Sequence, residues 1–292
     1  MKQNAYFCVD IGGTKTACAL YDDAGNELFY ERFPTEPERG AEDLVERVYE
    51  CAHEKLSDYR VLIGSLASPG PLSVAEGKII RVVTMGWENV EIVKLFSKRF
   101  DMDFVLLNDC DAGALGVANL PEFKKYRSHC YMSISTGIGG GFVIDDEVYM
   151  GCGNAADYGH MPVPGEGLVC GCGRTDCLEL YASGSGIERR YAARTGKNVD
   201  CYTIEQAARS GEAVAAELFR EASEKLAFAI DALRAVLDPE VIVLGGSVCR
   251  SGELILGKIG KQHNIGFAPD DGKQVLYGAY ANAKKHVNAE RQ

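Results

Sequence analysis

AYFCVDIGGTKTACALYDDAGN, residues 5–26, is the stretch on which the fold turns. An apolar run over 5–11 carries an acid, Asp10, near its end. Gly12, Gly13, Thr14 and Lys15 follow, and a second run extends from Thr16 to Tyr21. Asp22 to Asn26 is a turn cluster of the hairpin kind, and 27–33 reads as a third strand. Two glycines between strands let a backbone turn approach a ligand closely, with its N–H groups free to meet phosphate oxygens. Asp10, at the strand end, could hold Mg²⁺ through water, or it could simply cap a plain hairpin. The segment matches neither the GxxxxGK[ST] loop nor the GxGxxG loop.

The same device recurs. Residues 130–135 read as a strand, 136–141 as a glycine turn and 142–144 as a second strand. This repetition predicts two lobes of related construction that could hold a nucleoside triphosphate from both sides. Between the two hairpins, Leu44, Val45, Val48, Ala52 and Leu56 mark one face of a helix over 41–56. A strand at 61–66, a turn at 68–71, a helix at 90–100 and a strand at 104–107 follow. The last of these ends in Asn108, Asp109, Cys110 and Asp111 before a helical segment at 112–118. Ligands in α/β sheets gather beyond strand C-termini, so Asp109 stands where a general base should. A helix N-cap is the alternative role for it.

Residues 157–179, DYGHMPVPGEGLVCGCGRTDCLE, place His160, Cys170, Cys172 and Cys177 within eighteen residues. Cys₃His is a structural ligand set for Zn²⁺, and the surrounding glycines and prolines let the backbone wrap an ion. Beyond it the chain turns helical, at 180–194, at 203–210 and along an amphipathic stretch at 212–237. A strand at 241–244 leads into Gly245, Gly246 and Ser247, read as a close-approach turn serving a nucleotide base or ribose. Helices at 254–263 and 277–287, separated by a short strand at 274–277, complete the pattern.

The 292 residues are enough for about two domains, and 46% apolar with 25% charged residues describes a soluble globular chain. No apolar run approaches the ~20 residues of a membrane span, and no signal peptide is expected. Eleven cysteines without regular spacing outside the zinc stretch predict a reducing, cytoplasmic setting. A net charge of −11 without basic clusters argues against a nucleic-acid partner.

Together these residues resemble the ROK family (repressor, open reading frame, kinase), sugar kinases of the actin-like ATPase superfamily. DIGGTK at 10–15 is similar to its first phosphate loop, STGIGGG at 135–141 to its second and VLGGSV at 243–248 to its adenosine site. NDCDAGALG at 108–116 resembles the segment of the catalytic Asp, and 159–179 the zinc-bearing signature. The resemblance implies a two-lobed actin-like ATPase (ribonuclease H-like) α/β fold, with an inter-lobe cleft and a structural zinc loop. Its N-terminal lobe would span 1–119 and 278–292, and its C-terminal lobe 120–277. It implies an ATP-dependent hexose kinase with Asp109 as base, and Gly12, Gly13, Thr14, Lys15, Thr136 and Gly137 on the phosphates. Mg²⁺ would lie near Asp10, and Gly245 and Gly246 at the adenosine. Thr84, Asn108, Asp109, Asp157, His160 and Glu179 would face the sugar, while His160, Cys170, Cys172 and Cys177 hold zinc. Family members are commonly homodimers or homotetramers. The other class to weigh is a catalytically silent sugar- or nucleotide-binding sensor or regulator.

This sequence departs from the family at three places. Asp157 stands for a Glu, Thr84 for a sugar-contacting Asn, and Asp111 for the Asn of the catalytic segment. Asp176, beside Cys177, replaces a Gly and is expected at a tolerant loop surface. A pocket built to hydrogen-bond hydroxyls discriminates strongly, so these changes leave the hexose open while sparing the phosphate loops.

Overall fold

The alternation of residues 4–11 serves two cores at once. In the computed structural model, which describes residues 2–152, 155–269 and 272–290, Asn4–Ile11 forms strand β1. Ala5, Phe7, Val9 and Ile11 enter one buried cluster, Tyr6 and Cys8 another. A strand covered on both faces reads as a continuous apolar run, which is how it looks in the sequence. The chain divides into two units: Met1–Lys124 with Asp146–Asn154 and Asp271–Gln292, and Lys125–Asp145 with Ala155–Asp270.

In the first unit β1 pairs antiparallel with β2 (Lys15–Asp22), which pairs with β3 (Glu27–Pro34). On its other side β1 runs parallel to β4 (Arg60–Ser68), and β4 parallel to β8 (Phe104–Asn108), giving the order β3-β2-β1-β4-β8. Helix α1 (Ala41–Leu56) buries the stripe expected of it, Leu44, Val45, Val48, Ala52 and Leu56, in the first cluster. Helix α2 (Ile92–Phe100) adds Ile92 and Phe96 to that face. A small antiparallel sheet of β5 (Leu72–Ser73), β6 (Lys78–Val82) and β7 (Trp87–Val90) follows the turn at 68–71, in a stretch to which the sequence pattern assigns no strand.

The opposite face is covered by α9 (Gln274–Glu290), through Leu276, Ala279, Tyr280, Ala283 and Val287. Those positions keep a helical period from the first turn onward, so the strand expected at 274–277 is the beginning of this helix. Helix α3 (Asp109–Ala118) meets α9 at backbone distance. A Cβ on Gly278 would stand 1.7 Å from the Ala112 carbonyl oxygen, and one on Gly116 would stand 1.9 Å from that of Gln274. Only glycines permit this crossing.

The second unit repeats the arrangement. Strands β10 (Ile138–Ile144), β9 (Ser128–Ile134), β12 (Val241–Gly245) and β13 (Ile265–Phe267) lie side by side in that order. As in the first unit, the leading hairpin is antiparallel and the remaining pairs are parallel. The glycine turn is shorter than the sequence suggested, because Gly139–Gly141 belong to β10. A two-residue β11 (Glu147–Val148), which belongs to the first unit, follows in the chain. Helices α4 (Glu179–Ala182), α5 (Gly184–Thr195), α6 (Cys201–Arg209) and α7 (Ala213–Leu237) contribute to one core with β9, β10 and β12. The helix expected over 254–263 is a single turn, α8 (Glu253–Leu256), after which Gly257 and Gly260 loosen the chain and β13 takes parallel bonds from β12. Among the described residues no helix is long and apolar enough to cross a membrane.

Candidate functional site

Three parallel strands of the first unit end in register. Asp10 of β1 aligns with Ala67 of β4, and Ser68 of β4 with Asn108 of β8. Acidic side chains gather at this carboxyl edge. Asn108 caps α3, its Oδ1 accepting from the Cys110 N–H at 2.9 Å and the Asp111 N–H at 3.4 Å. Asp109 is therefore the first residue of the helix, and the cap position belongs to Asn108. Cys110 N–H also donates to Asp109 Oδ1 at 2.8 Å. Burial raises the Asp109 pKa despite these hydrogen bonds. Burial, then repulsion from Asp109, pushes Asp10 up to about 7, with Arg32 opposing. Asp111 is pushed up to about 6 by the same two causes. The site therefore holds carboxylates that repel one another and would be relieved by a cation or a shared proton.

The first glycine turn is closed by main-chain bonds. Gly12 N–H donates to the Lys15 carbonyl at 3.1 Å, and Thr35 N–H to the Thr14 carbonyl at 3.0 Å. Thr35 was invisible in the sequence pattern, yet its buried hydroxyl donates to the Gly12 carbonyl at 2.6 Å. Nothing local announces it, since it follows β3 and reaches the turn only through sheet pairing. Thr84 lies in a 3₁₀ turn with its hydroxyl 3.5 Å from where a Cβ on Gly13 would stand. Asn108 Nδ2 lies 3.3 Å from the same point on Gly70. The first unit thus brings together Asp10, Gly12, Gly13, Thr14, Lys15, Thr84, Asn108 and Asp109.

In the second unit Ser135 N–H donates to the Gly137 carbonyl at 2.9 Å, closing the second glycine turn. Ser135 Oγ lies 3.2 Å from Ser247 Oγ, which ties this turn to the Gly245–Gly246 turn beyond β12. Gly246 has φ 91°, and a Cβ there would strike the Ile134 backbone at 2.3 Å. A cavity of about 260 Å³ opens beside it, lined by Leu244, Gly245, Gly246, Cys249, Arg250 and Phe267 among others. Its apolar walls and single cation suit a flat heteroaromatic ring.

His160, Cys170, Cys172 and Cys177 converge with their ligand atoms all within 4.8 Å of one another. Cys170 Sγ is 3.6 Å from His160 Nδ1, and Cys172 Sγ is 3.6 Å from Cys177 Sγ. Tetrahedral Zn–S and Zn–N bonds need edges of about 3.5–3.8 Å, so the donor set fits such an ion. Hydrogen bonds from the Arg174 backbone and then its guanidinium hold the Cys172 thiol down to about 6, while burial pushes Cys177 up to about 12. Asp157 Oδ2 lies 3.9 Å from His160 Nε2, the nitrogen turned away from Cys170. Glu179 Oε2 accepts the Ile138 N–H at 3.2 Å.

Asp176 corrects an expectation. It is half-buried, and its carboxylate accepts from the N–H groups of Gly167 at 3.0 Å and Leu168 at 2.9 Å and from the Tyr181 hydroxyl. The residue pins the bend at 166–168 to α4 across the knuckle. Its φ of 54° is one that Gly adopts freely and Asp tolerates.

The model of the ROK family matches residues 6–273. An N-acetyl-D-glucosamine kinase of Pectobacterium atrosepticum is 30% identical over 263 residues, covering 85% of this chain and 86% of that protein. Among solved structures, a ROK hexokinase from Thermus thermophilus superposes with a TM-score of 0.88 at 28% identity, over 98% of this chain and 99% of that one. A ROK family glucokinase from Streptomyces griseus, solved with glucose and AMPPNP, gives a TM-score of 0.78 at 27% identity, over 96% and 99%.

Proposed function

This chain belongs to the ROK family, and on that premise we propose that it is an ATP-dependent sugar kinase transferring the γ-phosphoryl group to a hexose or hexose derivative. The observation that carries the reading is Asp109. It stands at the carboxyl edge of three parallel strands, with its neighbour Asn108 serving the helix as cap and its own carboxylate raised in pKa. A raised carboxylate is a better base than an ordinary one, so Asp109 accepts the proton of the attacking sugar hydroxyl while holding its oxygen in line. Asn108, whose Oδ1 is engaged by the helix, keeps Nδ2 for a hydroxyl oxygen. Thr84, Asp157, His160 and Glu179 supply further hydroxyl partners. Gly12, Gly13, Thr14, Lys15, Thr136 and Gly137 bind phosphates, and Gly245 and Gly246 border the adenosine cavity. Mg²⁺, accompanying ATP near Asp10, supplies neutralisation of phosphate charge. Zn²⁺ on His160, Cys170, Cys172 and Cys177 supplies no chemistry and fixes the loop that carries His160. The working assembly is a homodimer or homotetramer.

The test is ADP release with Mg·ATP across glucose, mannose, fructose, allose, N-acetylglucosamine and N-acetylmannosamine. One sugar turns over well above the rest, and Asp109→Ala lowers its kcat by roughly 10²–10⁴-fold with the fold intact. Undiminished turnover in that variant, or no turnover of any sugar by zinc-replete protein, overturns the assignment. Elemental analysis finds about one zinc per chain; a value far below this removes zinc from it.

A further inference from the structure

The segment following the last cysteine of the knuckle runs directly against the second glycine turn. Cys177 and Leu178 are wholly buried, and Glu179 opens α4. Glu179 Oε2, besides accepting the Ile138 N–H, lies 2.7 Å from where a Cβ on Gly137 would stand. A few residues on, Gly184 N–H donates to the Ser135 carbonyl at 2.8 Å and Ser185 N–H to the Thr136 carbonyl at 3.1 Å. Ser183, just before them, is buried, its hydroxyl donating to the Glu179 carbonyl at 2.7 Å and accepting from Gly186 N–H at 2.9 Å. Ser135, Thr136 and Ile138 are thus each bonded to one short segment whose far end is a knuckle cysteine.

A glycine turn closed by its own backbone alone has many conformations to lose when it binds phosphate. Here that cost is met in advance by bonds from outside the turn. We propose that Cys177–Ser185 holds the Ser135–Ile138 turn in its phosphate-binding shape, with Glu179 as the positioning residue. The inference rests on the kinase reading, which assigns Thr136 and Gly137 to the nucleotide. It gives Glu179 a role toward nucleotide in addition to its sugar contact. It also makes the knuckle a support for the phosphate site as well as a wall for the sugar. What the Ile138 N–H requires is an oxygen at the right reach, whatever its charge.

The test uses full-length, metal-loaded protein without sugar, titrated with Mg·AMPPNP, alongside amide hydrogen exchange over residues 134–139 and zinc content. Glu179→Asp, which keeps the charge but withdraws the oxygen, and Glu179→Ala each weaken nucleotide binding about tenfold, the scale of one lost hydrogen bond. Both also speed exchange at Ile138 while zinc content stays unchanged. Glu179→Gln retains the acceptor and keeps wild-type affinity and protection. Unchanged affinity in Asp and Ala variants, or an equal loss in Gln, overturns the proposal. Should Glu179→Ala fail to fold, the contrast between Asp and Gln decides alone. A wild-type chain that binds no AMPPNP fails at the kinase reading itself and takes this inference with it, a result visible before any variant is made.

Discussion

The two glycine turns are built alike and supported differently. Each joins an antiparallel hairpin whose first strand continues into parallel neighbours, β1 into β4 and β8, β9 into β12 and β13. The first is stitched by main-chain bonds within its own hairpin and by Thr35, and the acidic edge beside it is carried by α3. The second is held from outside by the segment leading from the knuckle. One topology therefore holds two similar glycine turns through two unrelated supports. In the first unit a helix carries the carboxylates, whereas in the second a loop carries the Cys₃His knuckle.

The largest expected effect tests whether those supports are separate. Gly278→Ala places a methyl group 1.7 Å from the Ala112 carbonyl, and neither backbone can yield without parting α3 from α9. Thermal unfolding should report a loss of roughly 1–3 kcal/mol or more, the range for overpacking a close contact. Because Ala112 lies one turn beyond Asp109, kcat should fall further than the affinity for nucleotide. Hydrogen exchange should loosen in α3 and leave Ile138 protected. Equal loosening at Ile138 would show that the supports are not independent.

A smaller effect separates the turns by pH. A carboxylic acid whose pKa is raised on folding binds its proton more tightly when folded. Its stabilising contribution is whole below the ordinary value of 3.8 and is lost as pH rises, through about 6 for Asp111 and about 7 for Asp10. Stability of the first unit should accordingly decline between pH 4 and about 7. Asp111→Asn should flatten that decline and gain about 1 kcal/mol at pH 7.5, allowing for partial exposure. A variant profile parallel to wild type would show that Asp111 is not titrating in this window.

Much of this was legible in the residues. Paired glycines between apolar runs marked both turns, and Cys₃His spacing marked the knuckle, because these features depend on local chemistry. What escaped depended on distant partners. Thr35 and Asp176 act through backbone groups brought close by sheet pairing and loop closure. β5 to β7 are short, with Arg81 and Glu88 exposed, so they carry no period of their own. Val275, Leu276 and Tyr277 form a run too short to separate strand from helix, and only the positions beyond it decide. Gly116 and Gly278 gave no sign that one faces the other's helix.

The smallest expected effect concerns Thr84, proposed above as a sugar partner and yet lying against Gly13 of the first turn. Thr84 is exposed, so Thr84→Asn should change stability by less than about 0.5 kcal/mol. Thr offers one hydroxyl, whereas Asn offers two donors and an acceptor at longer reach. If residue 84 selects the sugar, the variant should shift the ranking of hexoses by up to about tenfold in kcat/KM and leave AMPPNP affinity alone. The opposite outcome, an unchanged ranking with weakened nucleotide binding, would assign Thr84 to the phosphates. The first turn would then lean on Thr84 as well as on Thr35, as the second does on Glu179, and the contrast between the two would narrow to the chemistry of the residues that do the holding.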